Sequence, residues 1–219
     1  MFLIIKMKKF TFFALAVLST FVNLSAQSNS KSVSSGKNGS VYVQYNPMTY
    51  VMDYSGADDQ NFNGFTIGYN HTVASFEGSN LSLELGGALL YSRWSDSEGD
   101  VDASINLWAL KVPASLVYDW KVSDAVSIKP FAGFNLRFNL SAKGIEEDDY
   151  DKEKINLMDK KDMGSKDATW GRVQFGWHIG TNVEFNNKWF LGVSYGSDFT
   201  EVCKKCKFST VSITLGMKL

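Results

Sequence analysis

"STVSITLGMKL", residues 209–219, decides how the chain folds. Val211, Ile213, Leu215, Met217 and Leu219 fall on one side of an extended chain, and Thr210, Ser212, Thr214, Gly216 and Lys218 on the other. Successive side chains of a strand point to opposite faces, so this stretch is a strand with one apolar and one polar face. The division recurs upstream. In residues 171–185, Val173, Phe175, Trp177, Ile179, Val183 and Phe185 oppose Arg172, Gln174, Gly176, His178, Gly180, Asn182 and Glu184. In 188–199, Trp189, Leu191, Val193, Tyr195 and Phe199 oppose Gly192, Ser194, Gly196 and Asp198. In 127–140, Ile128, Ala132, Phe134, Leu136, Phe138 and Leu140 oppose Lys129, Gly133, Asn135, Arg137 and Asn139.

Looser strands near 39–47, 63–74, 81–93 and 105–120 bring the expected number to about eight, each near or above the roughly 9–11 residues that carry a tilted strand across a bilayer. The expected connections are 48–62, 75–80, 94–104, 121–126, 141–168, 186–188 and 200–208. Long and short alternate, as in a barrel with tight periplasmic turns at one end and extracellular loops at the other. "FNNKW" is the clearest hairpin turn.

Two up-and-down barrels share this pattern. A lipocalin-like barrel keeps its apolar face inside and shows water a charged surface; a membrane barrel is apolar outside and polar within. The polar face here is mostly Gly, Ser, Thr, Asn and Gln, with glycines such as Gly176, Gly180, Gly192, Gly196 and Gly216. That suits a crowded interior better than a Lys/Glu-rich surface in water. The aromatic positions agree: Trp120, Phe185 and Trp189 fall near the periplasmic rim, and Tyr91, Trp108, Phe138 and Phe199 near the outer rim. Such rings prefer the headgroup region; an aromatic-rich β-sandwich core is the other reading of them. The expected fold is all-β: an eight-stranded antiparallel up-and-down transmembrane β-barrel with short periplasmic turns and longer extracellular loops.

The flanking segments fit export. Lys6, Lys8 and Lys9 precede an apolar run from Phe10 to Phe21, and small residues Ser25 and Ala26 follow. This is the pattern of a secretory signal peptide over 1–26, with Met7 a candidate start; the run is too short to span a membrane. Residues 27–38 are Ser-rich and read as a flexible lead-in, and 39–219 form the barrel domain. Losing three lysines and no acids takes the net charge from -1 to -4, which offers nucleic acid no electrostatic footprint. The expected location is the outer membrane of a Gram-negative bacterium.

"LKVPASLVYDWKVSDAVSIKPFAGFNLRFNL" (110–140) resembles the middle of the bacterial outer membrane protein β-barrel domain family, some members of which are labelled PorT-like. "GWHIGTNVEFNNKWFLGVSYGSDFTEV" (176–202) is similar to that family's later Gly-rich strand, tight turn and tyrosine-bearing strand. The resemblance covers essentially the whole mature chain and implies a small OmpA/OmpX-type barrel in the outer membrane. Its motifs are structural and imply no chemistry.

Charged residues on the inward face are candidates for a lumen network: Glu84, Lys111, Lys129, Arg137, Arg172, His178, Glu184, Asp198 and Lys218. Eight strands leave room only for side chains, so paired charges are expected rather than an open pore, with Arg137 and Arg172 as neighbours. Of the two histidines, His178 points inward and His71 outward, so they cannot share a site. The acidic segments Asp96, Glu98, Asp100, Asp102 and Glu146, Glu147, Asp148, Asp149, Asp151 read as solvated loops. Cys203 and Cys206 stand as C-x-x-C in the last outer loop. The βαβ context of a redox dithiol and the four ligands of a zinc site are both lacking, and residues three apart across a turn are within disulfide reach. A local loop disulfide is therefore expected, with free thiols the alternative. No cofactor or metal is expected.

These readings point to a non-enzymatic outer-membrane barrel with a structural, adhesive or accessory role through its extracellular loops. A narrow channel or accessory subunit of a secretion or uptake complex is the second reading, and a small lipid-modifying enzyme using His71 the third. Expected partners are outer-membrane lipid, the barrel-assembly machinery through the C-terminal strand ending at Leu219, and an extracellular or secretion-complex protein.

Overall fold

The computed structural model describes residues 39–53, 59–76, 78–98, 101–147 and 151–219. The expected signal peptide and lead-in lie outside them, as do Asp100, Asp148 and Asp149 of the acidic segments. The strands are β1 (Gly39–Met52), β2 (Gln60–Ser75), β3 (Leu81–Glu98), β4 (Val101–Tyr118), β5 (Trp120–Lys121), β6 (Val126–Glu147), β7 (Lys152–Asn156), β8 (Val173–Phe185), β9 (Trp189–Asp198) and β10 (Cys206–Lys218). One turn of helix, α1 (Lys160–Met163), follows β7.

Each long strand pairs antiparallel with its neighbours in chain order, β4 pairs with β6 and β6 with β8, and β10 pairs back onto β1. The result is a closed eight-stranded barrel, with β5 and β7 as short appendages to β6. Closure leaves no open sheet edge, which a strand wall in lipid requires. The start of β1, the end of β10 and the Asn186–Asn187 turn share one end, here the base. The Asn186–Asn187 turn there has both residues at positive φ, 50 and 53°, the conformation a two-residue hairpin needs. The other end, the mouth, carries the longest connection, which joins β6 to β8 and holds β7 and α1, and also the two-residue one between β3 and β4.

Strands at the mouth run further than their sequence shows. Residues 48–52, 60–62, 94–98, 101–104 and 141–147, all expected in connections, belong to β1, β2, β3, β4 and β6. With Thr49 and Asn61 outside and Met48, Tyr50 and Phe62 inside, these ends keep the period of two but reverse its polarity, which hides the strand from a pattern that expects apolar residues outward. One extra residue on β6 opposite Trp108 and Ala109 makes a bulge and re-aims the strand above it.

The outer wall is apolar. Val193 is 55 % exposed, Ile179 53 % and Ile67 62 %, while the interleaved Thr66, Gln174 and Ser212 are buried. Tyr91 packs on Trp108 at 4.8 Å between ring centres, and Phe134, Phe175 and Phe199 form a second exterior cluster at 5.5–6.4 Å. Tyr45 and Tyr91 donate their hydroxyls upward to Asn63 and Asn106 (2.7 and 2.8 Å), so the ring lies in the apolar band and its polar tip in the belt above. At the base, Trp120, Phe185 and Trp189 are exposed on the same outer face. An apolar band between two aromatic belts is the surface of a membrane-spanning barrel.

A charge placed mid-band tests which side of the wall faces lipid. Val193→Arg is expected to destabilise the barrel by about 2–4 kcal/mol in urea titrations of folding into lipid vesicles; an unchanged midpoint would contradict the assignment.

Candidate functional site: a layered lumen closed at its mouth

The interior is filled in four layers, and narrowness dictates how. At the base, the Lys129 and Lys218 ammonium groups both reach Glu184 Oε2, at 2.9 and 3.0 Å, and Lys129 also reaches Asp119 at 3.4 Å. Glu84 faces the same cluster. Above it lie Tyr42, Ala88 and Phe190, a small buried apolar layer. Both rings lie where the neighbouring strand has glycine: a Cβ on Gly68 would sit 2.5 Å from the Tyr42 ring, and one on Gly216 2.1 Å from the Phe190 ring.

The third layer is a polar chamber of about 100 Å³ whose wall includes Asn46, Asn70, Lys111, Asn135, Arg137, His178, Asn182 and Asp198. Its side chains are joined across strands. Asn46 donates to Ser212 Oγ (2.7 Å) and accepts from Thr66 Oγ1 (2.6 Å). Arg137 Nη2 donates to Asp198 Oδ2 at 2.6 Å. Ser115 Oγ and His178 Nε2 are 2.8 Å apart. These two flank Gly133 in register, and its missing side chain lets them meet two strands apart.

The fourth layer closes the mouth. Met48, Tyr50, Phe62, Leu90, Leu107, Cys206 and Phe208 from the wall meet Leu157 and Trp170 from the connection between β6 and β8 and Val202 from the last one. Phe62 and Phe208 are 1 % exposed and Leu107 is fully buried. The Trp170 ring stacks on Tyr50 at 5.5 Å and meets Phe208 edge-on at 5.6 Å. The two connections are tied to each other: Gly171 N donates to Val202 O (2.6 Å), Lys204 N to Asp167 O (3.0 Å), and the Lys204 ammonium pairs with Asp167 (2.7 Å). That hydrogen-bonded ammonium holds the Asp167 carboxyl below its ordinary range. Within the longer connection, Asp159 caps α1 by accepting from Lys161 N, and Gly164 ends it in the left-handed region.

Of the expected network, Glu84, Lys129, Glu184 and Lys218 meet at the base, while Lys111, Arg137, His178 and Asp198 meet in the chamber. Arg172 belongs to neither. It precedes β8, is exposed, and offers its backbone carbonyl to Asn139 N (2.8 Å), while Gln174 takes the place opposite Arg137. The helper that sequence reading missed is Asp119, just past the end of β4. His71 is on the outer face, where its Nδ1 meets Tyr69 OH at 3.2 Å, so the two histidines do lie on opposite sides of the wall. In the acidic segments, Asp102 accepts from Ser97 Oγ (2.6 Å) and Glu147 pairs with Lys152.

Cys203 and Cys206 are free thiols in this structure; the disulfide expected between them is not made. A backbone bridge joins the two residues, with Lys205 at φ 59° between them. Cys203 Sγ lies 2.9 Å from Tyr50 OH, and Cys206 Sγ donates to Lys204 O at 3.3 Å. Burial first, then the adjoining Cys206 thiol, push the Cys203 thiol up to about 12. Burial and the Cys203 contact likewise raise the Tyr50 phenol above its ordinary value.

An apolar wall around a packed polar lumen, capped by an apolar stopper, defines a filled transmembrane β-barrel. The chain belongs to the outer membrane protein β-barrel domain family, whose model matches residues 13–218, and as a member it is an outer-membrane protein. Among solved structures it is similar to the attachment invasion locus protein Ail of Yersinia pestis (15 % identity, 84 % of this chain and 99 % of that one, TM-score 0.47). It is similar also to Neisserial surface protein A (13 %, 83 % and 97 %, 0.46) and to the outer membrane enzyme PagL (14 %, 82 % and 99 %, 0.49). No curated protein matches the chain.

Two measurements probe the site. Arg137→Met leaves the Asp198 carboxylate buried without its partner and is expected to cost about 3–5 kcal/mol in urea titrations, with most of that recovered in Arg137→Met/Asp198→Leu. For the thiols, a group near 12 is ionised on the order of a thousandfold less at pH 8 than an ordinary cysteine. Only the thiolate reacts, so Cys203 in the folded barrel should resist iodoacetamide at pH 8, label faster as pH rises, and label fully once denatured. Rapid labelling of the folded protein at pH 8 would contradict the burial.

Proposed function

We propose that the protein is a non-conducting, non-enzymatic outer-membrane barrel that acts through the surface at its mouth, as a structural, adhesive or accessory component. The observation that carries this is the stopper. Residues that would have to part for a solute to pass are apolar, interlocked and almost without exposure, and dewetted apolar constrictions do not conduct ions. The same packing holds residues 155–170 of the longer connection at the mouth, where Lys152, Glu153, Lys154, Lys160 and Lys161 are exposed and offer a charged surface to a protein partner outside the cell or in a secretion complex.

The histidines support the non-enzymatic reading. Catalysis by a serine needs a base within hydrogen-bond reach and a path for substrate. The Ser115–His178 pair has the reach, but it lies in the chamber beneath the stopper; His71, on the lipid face, has a tyrosine as its partner. Lipid is the partner of the apolar band, and β10, which closes the barrel against β1, is the element the assembly machinery would engage.

Planar bilayers test the proposal. The reconstituted protein is expected to show no stepwise conductance, whereas stable unitary steps would replace the proposal with a channel.

A further inference from the structure

The outer face of the wall carries a row of four polar side chains just above the upper aromatic belt. Asn63 on β2, Arg93 on β3, Asn106 on β4 and Lys143 on β6 are successive partners in register. Three of them lie two residues beyond an outward ring: Asn63 past Phe65, Arg93 past Tyr91, and Asn106 past Trp108. Asn63, Arg93 and Lys143 are exposed, and neither cation makes an ion pair among the described residues.

Two tyrosines fix the height and the chemistry of this row. Tyr45 and Tyr91 donate their hydroxyls to Asn63 Oδ1 and Asn106 Oδ1. Such rings settle at headgroup level, so the row stands among headgroups, above the hydrocarbon. Each amide oxygen already accepts from a tyrosine, which leaves the amide NH2 for an outside acceptor. The row therefore presents donors only: a guanidinium, an ammonium and two NH2 groups. Among the described residues of these four strands, the nearest carboxylates with the same outward parity are Asp102 and Glu147. They stand four residues further up β4 and β6, about 13 Å along the strand, and are engaged with Ser97 and Lys152. We propose that this row is a binding site for a phosphate group of an outer-leaflet lipid, seated over Asn106 between Arg93 and Lys143. The proposal rests on the reading that the mouth faces outside the cell.

Neighbouring strands are about 4.8 Å apart, so Arg93 and Lys143 flank Asn106 at a separation of about 10 Å, and both long side chains can converge on one anion above it. A guanidinium holds phosphate through two parallel N–H donors, and an ammonium adds a compact point charge. Directly below, Phe65, Leu89 and Trp108 are exposed on the same strands and give acyl chains a surface. Free phosphate would gain nothing from that surface, whereas a lipid uses both.

Native mass spectrometry of the detergent-refolded protein tests this with lipid A and with the same lipid stripped of its phosphates. One tight adduct with the phosphorylated lipid is expected. Removing the phosphates, or introducing Arg93→Gln/Lys143→Gln, should weaken it by at least about tenfold, while Lys121→Gln/Lys188→Gln at the base should leave it unchanged. A gel-mobility shift on boiling shows that each variant still forms a barrel. Equal binding of the two lipids, an unaltered affinity in Arg93→Gln/Lys143→Gln, or an equal loss in the base variant would overturn the proposal. Inorganic phosphate that competes as well as the lipid would assign the row to free phosphate and overturn it too. Orientation is read separately: on intact cells an impermeant maleimide should label Ser165→Cys, at an exposed position of the mouth. An unlabelled cysteine there would overturn the outward-facing mouth and, with it, the assignment to the outer leaflet.

Discussion

Width is the constraint on which the rest of this structure depends. Eight strands closed into a ring leave an interior just wide enough for side chains, so each large or charged inward group occupies space that a neighbour must vacate. Tyr42 and Phe190 lie over Gly68 and Gly216, and Ser115 reaches His178 across Gly133. The glycines Gly68, Gly216 and Gly133 are therefore half of these interior contacts. Removing the void changes the contact as surely as removing the ring.

The same narrowness turns electrostatics into architecture. Unpaired charge inside a low-dielectric wall is costly, and the barrel answers by sorting: two ammonium groups share one carboxylate oxygen at the base, a guanidinium and a carboxylate pair in the chamber, and apolar layers lie above and below that chamber. Outside, lipid imposes the opposite arrangement, with aliphatic residues in the band and tyrosines whose hydroxyls reach the polar belt above it. Where the wall rises past the lipid, the inner face becomes the apolar one, and the stopper is the result.

That reversal explains what could and could not be read beforehand. Strands inside the membrane were legible because Val211, Ile213 and Leu215 have a single apolar environment to face, and the inward charges followed from parity alone. Parity also placed His71 and His178 on opposite faces. The strand ends at the mouth were not legible: Met48, Tyr50 and Phe62 keep the period but invert its meaning. Arg172 has inward parity, yet the strand begins one residue later, and parity has no force outside a strand. Trp170 sits in a connection without periodicity, and only the tertiary fold brings it onto Tyr50 and Phe208. The cysteine spacing was equally mute, because it states that two thiols can meet, not that they have reacted.

The account stands on the two connections being folded into the mouth, and nuclear magnetic resonance of the protein in detergent micelles tests that most directly. Cross-relaxation is expected between the Trp170 ring and the rings of Tyr50 and Phe208, with the Trp170 amide, which donates to Leu157 O at 2.7 Å, protected from exchange. A Trp170 with sharp, solvent-averaged resonances and a rapidly exchanging amide would contradict it and leave the barrel open at its mouth.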